Sequence, residues 1–583
     1  MKILNLKYSL IFVFFLSLTA CEEYLNRYPE DEISSKDYWR TTNDLKLYVN
    51  QFYPSAFYVS GSDRWNHIFA EDLESDDMVY VEANPRLRGS RIVPESGGWS
   101  YNNIRDVNYF FENYESCEDD FEQYKAYVGE AHFFRAFYYF DLVKEYGDVP
   151  YISKPLETNS DELYMTRTPR NQVIDSVVAD LDRAVEFLPS GKQEGGTRLN
   201  KEIAQLFKSR VCLYEGTWEK YHADDVFAAE NAGSQTLLEL AVDAAASVIE
   251  SGLYTIDASG DPDWNYFNQF ARVDYSNNPG VMLWKKYDLD LGVGHARQFQ
   301  TGTGSSGGVG LTRSFADSYL CTDGRPIYLS NGDPNPLYQG DDDLASTAVN
   351  RDPRFSQTIF TPGFPLQVRG SDTTFFVRPA VDKSAHEVNP TGYQMNKFLN
   401  FDPIHYASLS TAGVGFTGWI IFRYAEALLN YAEAKAELGT LTQADVNNTI
   451  NLLRDRVGMP PLNIASIETD PNWLFPDLSP VINEIRRERR IELVGEGFRW
   501  DDIARWAAAD ELITGQRPYG AKFNSTNYSD LNPDDFKLTD GYFDPLKFQL
   551  PEGYGFELGR DYLSPISTEE LNLNPSLEQN PGW

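Results

Sequence analysis

Hydrophobic residues at helical spacing mark several long segments of the chain. In residues 126–146 the rings of Phe133, Phe137 and Phe140 recur at steps of three and four, and Gly147 then ends the segment. The same spacing predicts further helices over 43–57, 172–188, 201–214 and 237–250. Short breakers join these segments, and small residues alternate with large ones. The pattern therefore favours antiparallel helical pairs of the tetratricopeptide type.

The pattern changes after residue 254. Across 255–420 Gly, Asp, Asn, Pro and Ser become frequent and helical periodicity fades, although 281–284 is a candidate strand. Helical spacing resumes at Ile421, and the tail after Gly520 has no long helical pattern, so we expect it to wrap the scaffold. A long irregular insertion on a helical scaffold is more often functional surface than filler.

These observations predict one mostly α fold: a tetratricopeptide-like helical-pair scaffold with a large, irregular, loop-rich ligand-binding half. Its parts are an N-terminal helical part at 41–254, the irregular insertion at 255–420, and a C-terminal helical part with its tail at 421–583.

The densest charged segment, residues 482–506, has a helical pattern of its own. Four glutamates recur every fourth residue and four arginines lie among them: Glu484, Glu488, Glu492 and Glu496, with Arg486, Arg487, Arg489 and Arg490. Glutamates at this spacing repel one another along one helix face, and tertiary pairs with arginines would offset the repulsion. The segment is either a solvated charged helix or a polar seam between two helical layers, with Arg423 and Glu426 as candidate partners.

The N-terminus resembles a bacterial lipoprotein signal. Lys2 and Lys7 precede an apolar run at 10–16, and the run ends in Leu-Thr-Ala followed by Cys21, as in a lipobox. We expect residues 1–20 to be removed and Cys21 to be lipidated, with 21–40 as an extended acidic lead-in. The lipid would anchor the protein to a membrane without spanning it.

The net charge and the spacing of the cysteines limit the classes of function that this protein can have. The net charge is -36 and the pI about 4.5, which argues against nucleic-acid binding, because nucleic-acid-binding proteins have a basic footprint. The widely spaced Cys117, Cys212 and Cys321 have no metal-ligand pattern and are predicted to be buried thiols, or two of them a single disulfide.

No motif points to catalysis, a metal or a cofactor. The six histidines have no metal-binding spacing, no GxSxG is present, and the glycine-rich 302–308 lacks the context of a phosphate loop. The 87 acidic residues leave a carboxylate pair of the glycosidase kind open. We nevertheless predict a protein that is not an enzyme, and we interpret Asp341–Asp343 as a solvated loop in preference to a calcium site.

Aromatic rings beside amides are what a flat ligand with an apolar face requires. Trp99, Tyr101 and Asn102 follow a double-glycine loop and open a helix, so they are the first candidates for ligand binding. The alternative for Trp99 is packing between helices. Arg64 and Trp65 form a similar mixed cluster in a loop.

The irregular half supplies three more candidates. Trp284 and Tyr287 flank it, with a buried strand position as the alternative for Trp284. His295 lies in the next loop, together with other polar residues. We predict all three as ligand-binding residues.

Several short segments, in order along the whole chain, resemble the SusD/RagB family. They are the Cys-Glu-Glu-Tyr-Leu start at 21–25, EAHFFRA at 130–136, YGDVP at 146–150, RDPRF at 351–355, RYAEA at 423–427, RERRIEL at 487–493, LSPI at 563–566 and QNPG at 579–582. Each segment alone is weak evidence of the resemblance, but the whole set in this order is specific to the family.

The resemblance implies a surface-exposed outer-membrane lipoprotein that captures a nutrient, usually an oligosaccharide, and passes it to a SusC-like TonB-dependent transporter. It implies no catalytic residue. A transporter-associated lid or assembly protein for a non-glycan nutrient such as a peptide is the main alternative, and a secreted hydrolase is a weaker one.

Overall fold

The computed structural model describes residues 38–57, 72–302, 306–384, 387–409, 411, 413–524 and 527–583. Its longer helices are α1 Thr42–Asn50, α3 Asn102–Asn113, α4 Phe121–Tyr146, α5 Arg170–Phe187, α6 Lys201–Tyr221, α7 Ser234–Glu250, α8 Pro262–Gln269, α12 Tyr424–Glu437 and α15 Pro480–Leu493. The shorter ones are α2 Phe52–Ala56, α9 Arg297–Gly302, α10 Arg313–Ser318, α11 Leu344–Ala348, α13 Gln443–Asn447, α14 Ile450–Arg456, α16 Arg499–Arg505, α17 Ala509–Leu512 and α18 Thr568–Leu573.

The strands are short and form antiparallel pairs. Met78–Tyr80 (β1) pairs with Val309–Leu311 (β3), and Val281–Lys285 (β2) pairs with Trp419–Arg423 (β6). The other two pairs are Pro365–Arg369 (β4) with Asp372–Phe375 (β5), and Leu538–Thr539 (β7) with Tyr542–Phe543 (β8). The mostly α fold with a tetratricopeptide-like scaffold is confirmed, and so is the strand expected at 281–284.

Consecutive helices from α3 to α7 pack against one another, and α12 continues the array against α7 and α15. The largest apolar core runs through this array, where Phe133, Phe140 and Phe207 are buried. A second core fills the irregular half around Phe315, Phe355 and Phe360.

Two helices depart furthest from their predicted boundaries. Residues 43–57 form two helices, because Pro54 has no N–H to donate to the Asn50 carbonyl. The helix starting at Lys201 continues to Tyr221, well past the predicted end at 214. Gly216 lies inside this helix, where an added Cβ would come within 3.0 Å of the Leu238 side chain, so close packing against α7 favours glycine at this position.

The charged segment is a buried seam. Glu484, Glu488 and Glu492 are buried, and each pairs with an arginine from another part of the chain. Arg454 lies against Glu484 and Glu488, Arg354 bridges Glu488 and Glu492, and Arg456 binds Glu492. The solvated helix is therefore excluded, because its charged face has no access to water.

Of the two residues predicted to pair with the seam, one does so and the other does not. Arg423 pairs with Glu492 and Glu496, as expected. The Glu426 prediction is wrong, because its carboxylate pairs with Arg210 of α6. The predicted helix over 482–506 also breaks after Leu493, where Gly495 and Gly497 adopt φ of +75° and +81°.

The tail is hydrogen-bonded to the scaffold at several points. Asn580 donates to the Tyr146 carbonyl, Arg167 donates to the Glu578 carbonyl, and Arg91 donates to the Asp561 carbonyl.

Cys117, Cys212 and Cys321 are free thiols; Cys117 is only half-buried. The Cys21 lipobox lies outside the described residues, within which no helix is long and apolar enough to cross a membrane.

Candidate ligand-binding site

A double-glycine turn places Trp99. Gly97 and Gly98 have φ of +85° and +87°, values that side-chain-bearing residues rarely adopt. A Cβ on Gly98 would lie 2.7 Å from the Tyr146 hydroxyl oxygen, so the turn also needs glycine for close approach. The turn brings the half-buried Trp99 ring edge-on to Tyr146, with 5.4 Å between ring centroids.

Tyr101 and Asn102 follow directly. The Tyr101 hydroxyl donates to the Pro150 carbonyl at 2.8 Å, and its ring lies 5.8 Å from that of Trp99. Burial raises the pKa of Tyr101 well above its usual value, so the hydroxyl stays protonated and this bond persists. Asn102 is the first residue of α3 and is exposed, which leaves its amide available to a ligand.

The three residues line one cavity of about 580 Å³. The chain after Pro150 also lines the cavity, and there Lys154 and Glu162 form an ion pair at 2.5 Å. The third side comes from the tail, through Glu570 and the buried Asn574. Apolar side chains complete the lining: Ile104, Ile152, Leu156, Leu163 and Leu577.

This arrangement suits a ligand with both apolar and polar faces. A ring face and leucines offer contact area, while an amide, a carboxylate and an ammonium group at the rim offer donors and acceptors. Cavities of this size accept small ligands or one end of a longer chain.

Trp284, Tyr287 and His295 do not reach this cavity. Trp284 is 3% exposed in β2 and its indole N–H donates to the Gly195 carbonyl at 2.9 Å. Tyr287 is equally buried, and its ring packs edge-on to His295 at 4.6 Å. All three side chains fill the interior of the irregular half, so they present little surface to a ligand.

His295 is held as a neutral imidazole. Its Nε2 lies 3.0 Å from the Thr417 carbonyl, and its Nδ1 accepts from the Arg297 backbone N–H. Burial lowers the pKa of His295 to about 3, and nearby Arg297 adds to the effect. The other two predicted residues, Arg64 and Trp65, lie outside the described residues.

Family comparison covers most of the chain. Residues 31–213 match the model of a family described as "Starch-binding associating with outer membrane". Residues 272–583, more than half of the chain, match the family described as "SusD family". The chain belongs to the SusD family.

Curated relatives of this SusD-family chain align over nearly its whole length. SusD-like protein P2 of Formosa agariphila is 25% identical over 605 residues, covering 99% of this chain and 100% of the relative. SusD-like protein P38 of the same organism is 24% identical over 524 residues, covering 87% of this chain and 92% of the relative.

Solved structures share the fold. A SusD-like carbohydrate-binding protein from Bacteroides fragilis aligns with a TM-score of 0.70 at 23% identity, over 93% of this chain and 100% of that one. A laminarin-binding SusD-like protein aligns with a TM-score of 0.55 at 20% identity, over 94% and 100%.

Most of the residues that line the Trp99 cavity of this SusD-family chain were not predicted from the sequence. Lys154, Leu156 and Glu162 lie about fifty residues after Trp99, and the tail residues lie far beyond. One local signal existed: Leu163 and Tyr164 are adjacent apolar residues in a polar loop, and they are 41% and 59% exposed. Asn574 and Leu577 had no such signal, because only the path of the tail brings them here.

The acids at 341–343 have structural partners. Asp341 pairs with Arg313, Asp342 pairs with Lys522, and Asp343 caps α11. Across the described ranges, no group of three or more His, Cys, Asp or Glu side chains is arranged to hold a metal ion.

Proposed function

We propose that this protein is a non-catalytic, cell-surface glycan-binding lipoprotein that delivers an oligosaccharide to a SusC-like TonB-dependent transporter. The glycan would occupy the cavity lined by Trp99, Tyr101 and Asn102, and the lipid on Cys21 would hold the protein at the outer membrane. The observation that carries the proposal is this cavity, with its half-buried ring and free amide, on a SusD-family scaffold.

The names of relatives support a glycan as the ligand. One structural neighbour is named as carbohydrate-binding and another as laminarin-binding, and the family matched by the N-terminal third is described as starch-binding and associated with the outer membrane. A pyranose ring has an apolar C–H face and a hydroxyl edge. The first suits the ring face of Trp99, and the second suits the amide of Asn102 and the carboxylate of Glu570.

The binding test is calorimetry, or electrophoresis in polysaccharide-containing gels, against a panel of glycans. Wild type should bind at least one glycan, and Trp99→Ala should weaken binding up to about tenfold, because an aromatic contact contributes about 0.5–1.5 kcal/mol beyond the burial of its area. Asn102→Ala should weaken it less, since one exposed hydrogen bond is lost.

The matched control is Phe548→Ala. This aromatic residue is 76% exposed and is not among the residues that line the Trp99 cavity, so its removal should leave affinity unchanged. Thermal unfolding of each variant separates lost binding from lost fold. Absence of binding to every glycan, or equal affinity in wild type and Trp99→Ala, would contradict the proposed site.

The transporter is tested separately. Affinity purification of the lipidated protein from detergent-solubilised outer membranes should recover a TonB-dependent transporter. Recovery of the transporter without binding to any glycan would favour the lid or assembly role for a peptide or other nutrient. Release of shorter sugars from any glycan in the panel would instead show a hydrolase.

A further inference from the structure

A second cavity, of about 540 Å³, is built from segments that adjoin those of the Trp99 cavity. Its lining comes from the connection between α4 and α5, from the loop at 226–230, and from the tail at 576–581. None of its lining residues lines the Trp99 cavity. Its volume lies within the range of small-ligand sites, which is about 300–1,000 Å³.

Two segments of chain pass between the cavities. In the tail, Leu577 lines the Trp99 cavity, whereas the preceding residue, Ser576, lines the second one. In the α4–α5 connection, Leu163 lines the Trp99 cavity and Thr166 lines the second one. Consecutive Cα atoms lie about 3.8 Å apart, so the two linings come within about 4 Å of each other in the tail and about 11 Å in the connection. The cavities are therefore close neighbours.

The segments that separate the cavities, 163–166 and 574–577, form a partition. Asn574 donates to the Met165 carbonyl at 2.9 Å, and this bond joins the two segments. Tyr164 stands on the partition and is 59% exposed, and the leucine before it is exposed as well. Single exposed apolar residues are common, whereas two adjacent ones between two cavities form a contact surface for a ligand. A sugar chain that crosses the partition meets the Tyr164 ring, which suits the C–H face of a pyranose.

The free charged groups of the second cavity are carboxylates. Arg167 donates to three backbone carbonyls, and Arg170 pairs with Glu215 at 2.7 Å, so both cations are engaged. Glu230 and Glu578 are exposed, and neither forms an ion pair within the described ranges. A carboxylate accepts hydrogen bonds from sugar hydroxyls and repels an acidic sugar. The second cavity is therefore suited to neutral sugars.

We propose that the second cavity is a distal subsite for a neutral oligosaccharide, which is bound at Trp99, crosses the partition at Tyr164 and continues into this cavity. The subsite depends on the proposed function and adds the class of ligand, a neutral chain long enough to reach both cavities. The Trp99 cavity holds one end of the chain. Glu230 and Glu578 accept hydrogen bonds from hydroxyls of the other end.

The probes are oligosaccharides from disaccharide to hexasaccharide, prepared from each polysaccharide of the panel that the wild type binds. Calorimetry on the full chain should show a gain in affinity of about tenfold or more from the disaccharide to the hexasaccharide. Tyr164→Ala and Glu230→Ala should each weaken the hexasaccharide about three- to tenfold. Both variants should bind the disaccharide as wild type does, because the short sugar does not extend from Trp99 to the changed residues.

The matched controls are Phe548→Ala and Glu112→Ala. Both side chains are exposed and line neither cavity, so hexasaccharide affinity should stay unchanged. Trp99→Ala should weaken the disaccharide and the hexasaccharide alike, which separates the first cavity from the second. A longer chain also gains from the number of positions at which it can bind. That statistical gain is the same in wild type and variants, so the ratio of their affinities isolates the second cavity.

Glycan binding that does not strengthen with chain length would overturn the distal subsite and leave the proposed function standing. The same holds for wild-type hexasaccharide affinity in both Tyr164→Ala and Glu230→Ala, or for a loss that is equal for disaccharide and hexasaccharide. Binding of acidic polysaccharides alone would overturn the neutral class of ligand. Absence of binding to every glycan would contradict the proposed function itself, and the subsite with it.

Discussion

Replacing Glu492 by glutamine tests the seam at its centre. The carboxylate is fully buried and meets three guanidinium groups: Arg423 at 2.7 Å, Arg456 at 2.6 Å and Arg354 at 3.2 Å. Glutamine keeps the shape but loses the charge, and its NH₂ group must then face a guanidinium that can only donate.

The three arginines differ in the carboxylate partners that they keep when Glu492 is replaced. Arg423 retains Glu496, and Arg354 retains Asp352 and Glu488. Among the ion pairs of the described residues, Arg456 has Glu492 alone, so Glu492→Gln leaves this buried cation without a counter-charge. Breaking a buried pair in this way costs about 3–5 kcal/mol.

The assay is urea and thermal unfolding of wild type and Glu492→Gln. At about 2.1 cal/mol/K per residue, unfolding of the chain has an entropy near 1.2 kcal/mol/K, so Tm should fall by about 2–4 °C. The control is Glu186→Gln. Glu186 pairs with Arg183 at 2.8 Å, but both are well exposed, so the change in free energy of unfolding should stay below about 1 kcal/mol.

The pH dependence of stability tests the same carboxylate, and its direction follows from the lowered pKa of Glu492. The guanidinium groups around Glu492 hold its pKa well below the usual range. Its contribution is therefore complete above the unfolded pKa of about 4.3 and is lost as pH falls toward the lowered folded value. The difference in stability between wild type and Glu492→Gln should shrink between about pH 5 and 3. A difference below 1 kcal/mol at about pH 7, or one that is constant with pH, would refute the seam as a source of stability.

Two further predictions concern the turn and a buried lysine. Gly98→Ala should weaken glycan binding more than Gly97→Ala, because both have positive φ but only at Gly98 does a Cβ meet the Tyr146 hydroxyl; equal affinities would contradict this. Burial lowers the pKa of Lys397 to about 8, so this side chain binds more protons in the unfolded chain from there up to about 10.4, and its own contribution to stability should rise with pH across that window. Lys397→Met should remove this rise, as urea unfolding at several pH values will show; an unchanged slope would contradict it.

The spacing of residues along the chain predicted the helices whose formation depends on neighbouring residues. Ring spacing found α4, and the four-residue glutamate repeat identified the seam helix. Whether that helix is buried depends on arginines such as Arg354 and Arg454, which come from distant segments, and no local rule reveals them. The break at Gly495 and Gly497 was readable from the sequence, since two glycines so close together seldom continue a helix.

The aromatic candidates show the same limit. A tryptophan beside polar residues fits both a binding loop and a buried strand, and the sequence could not separate Trp99 from Trp284. The decisive difference is tertiary. Gly195 supplies a carbonyl that satisfies the Trp284 indole inside the fold, whereas Trp99 stands on a turn beside an open cavity.

The seam and the Trp99 cavity rest on different chemistry, and this separates stability from ligand choice. In the seam, guanidinium and carboxylate groups satisfy one another away from water, so a substitution there acts first on folding. The cavity is built from a glycine turn, the loop after Pro150 and the tail, with side chains that are mostly half-buried or exposed. Under the proposed function, specificity for a different glycan would therefore change through these loops while Glu492 and its arginines stay as they are.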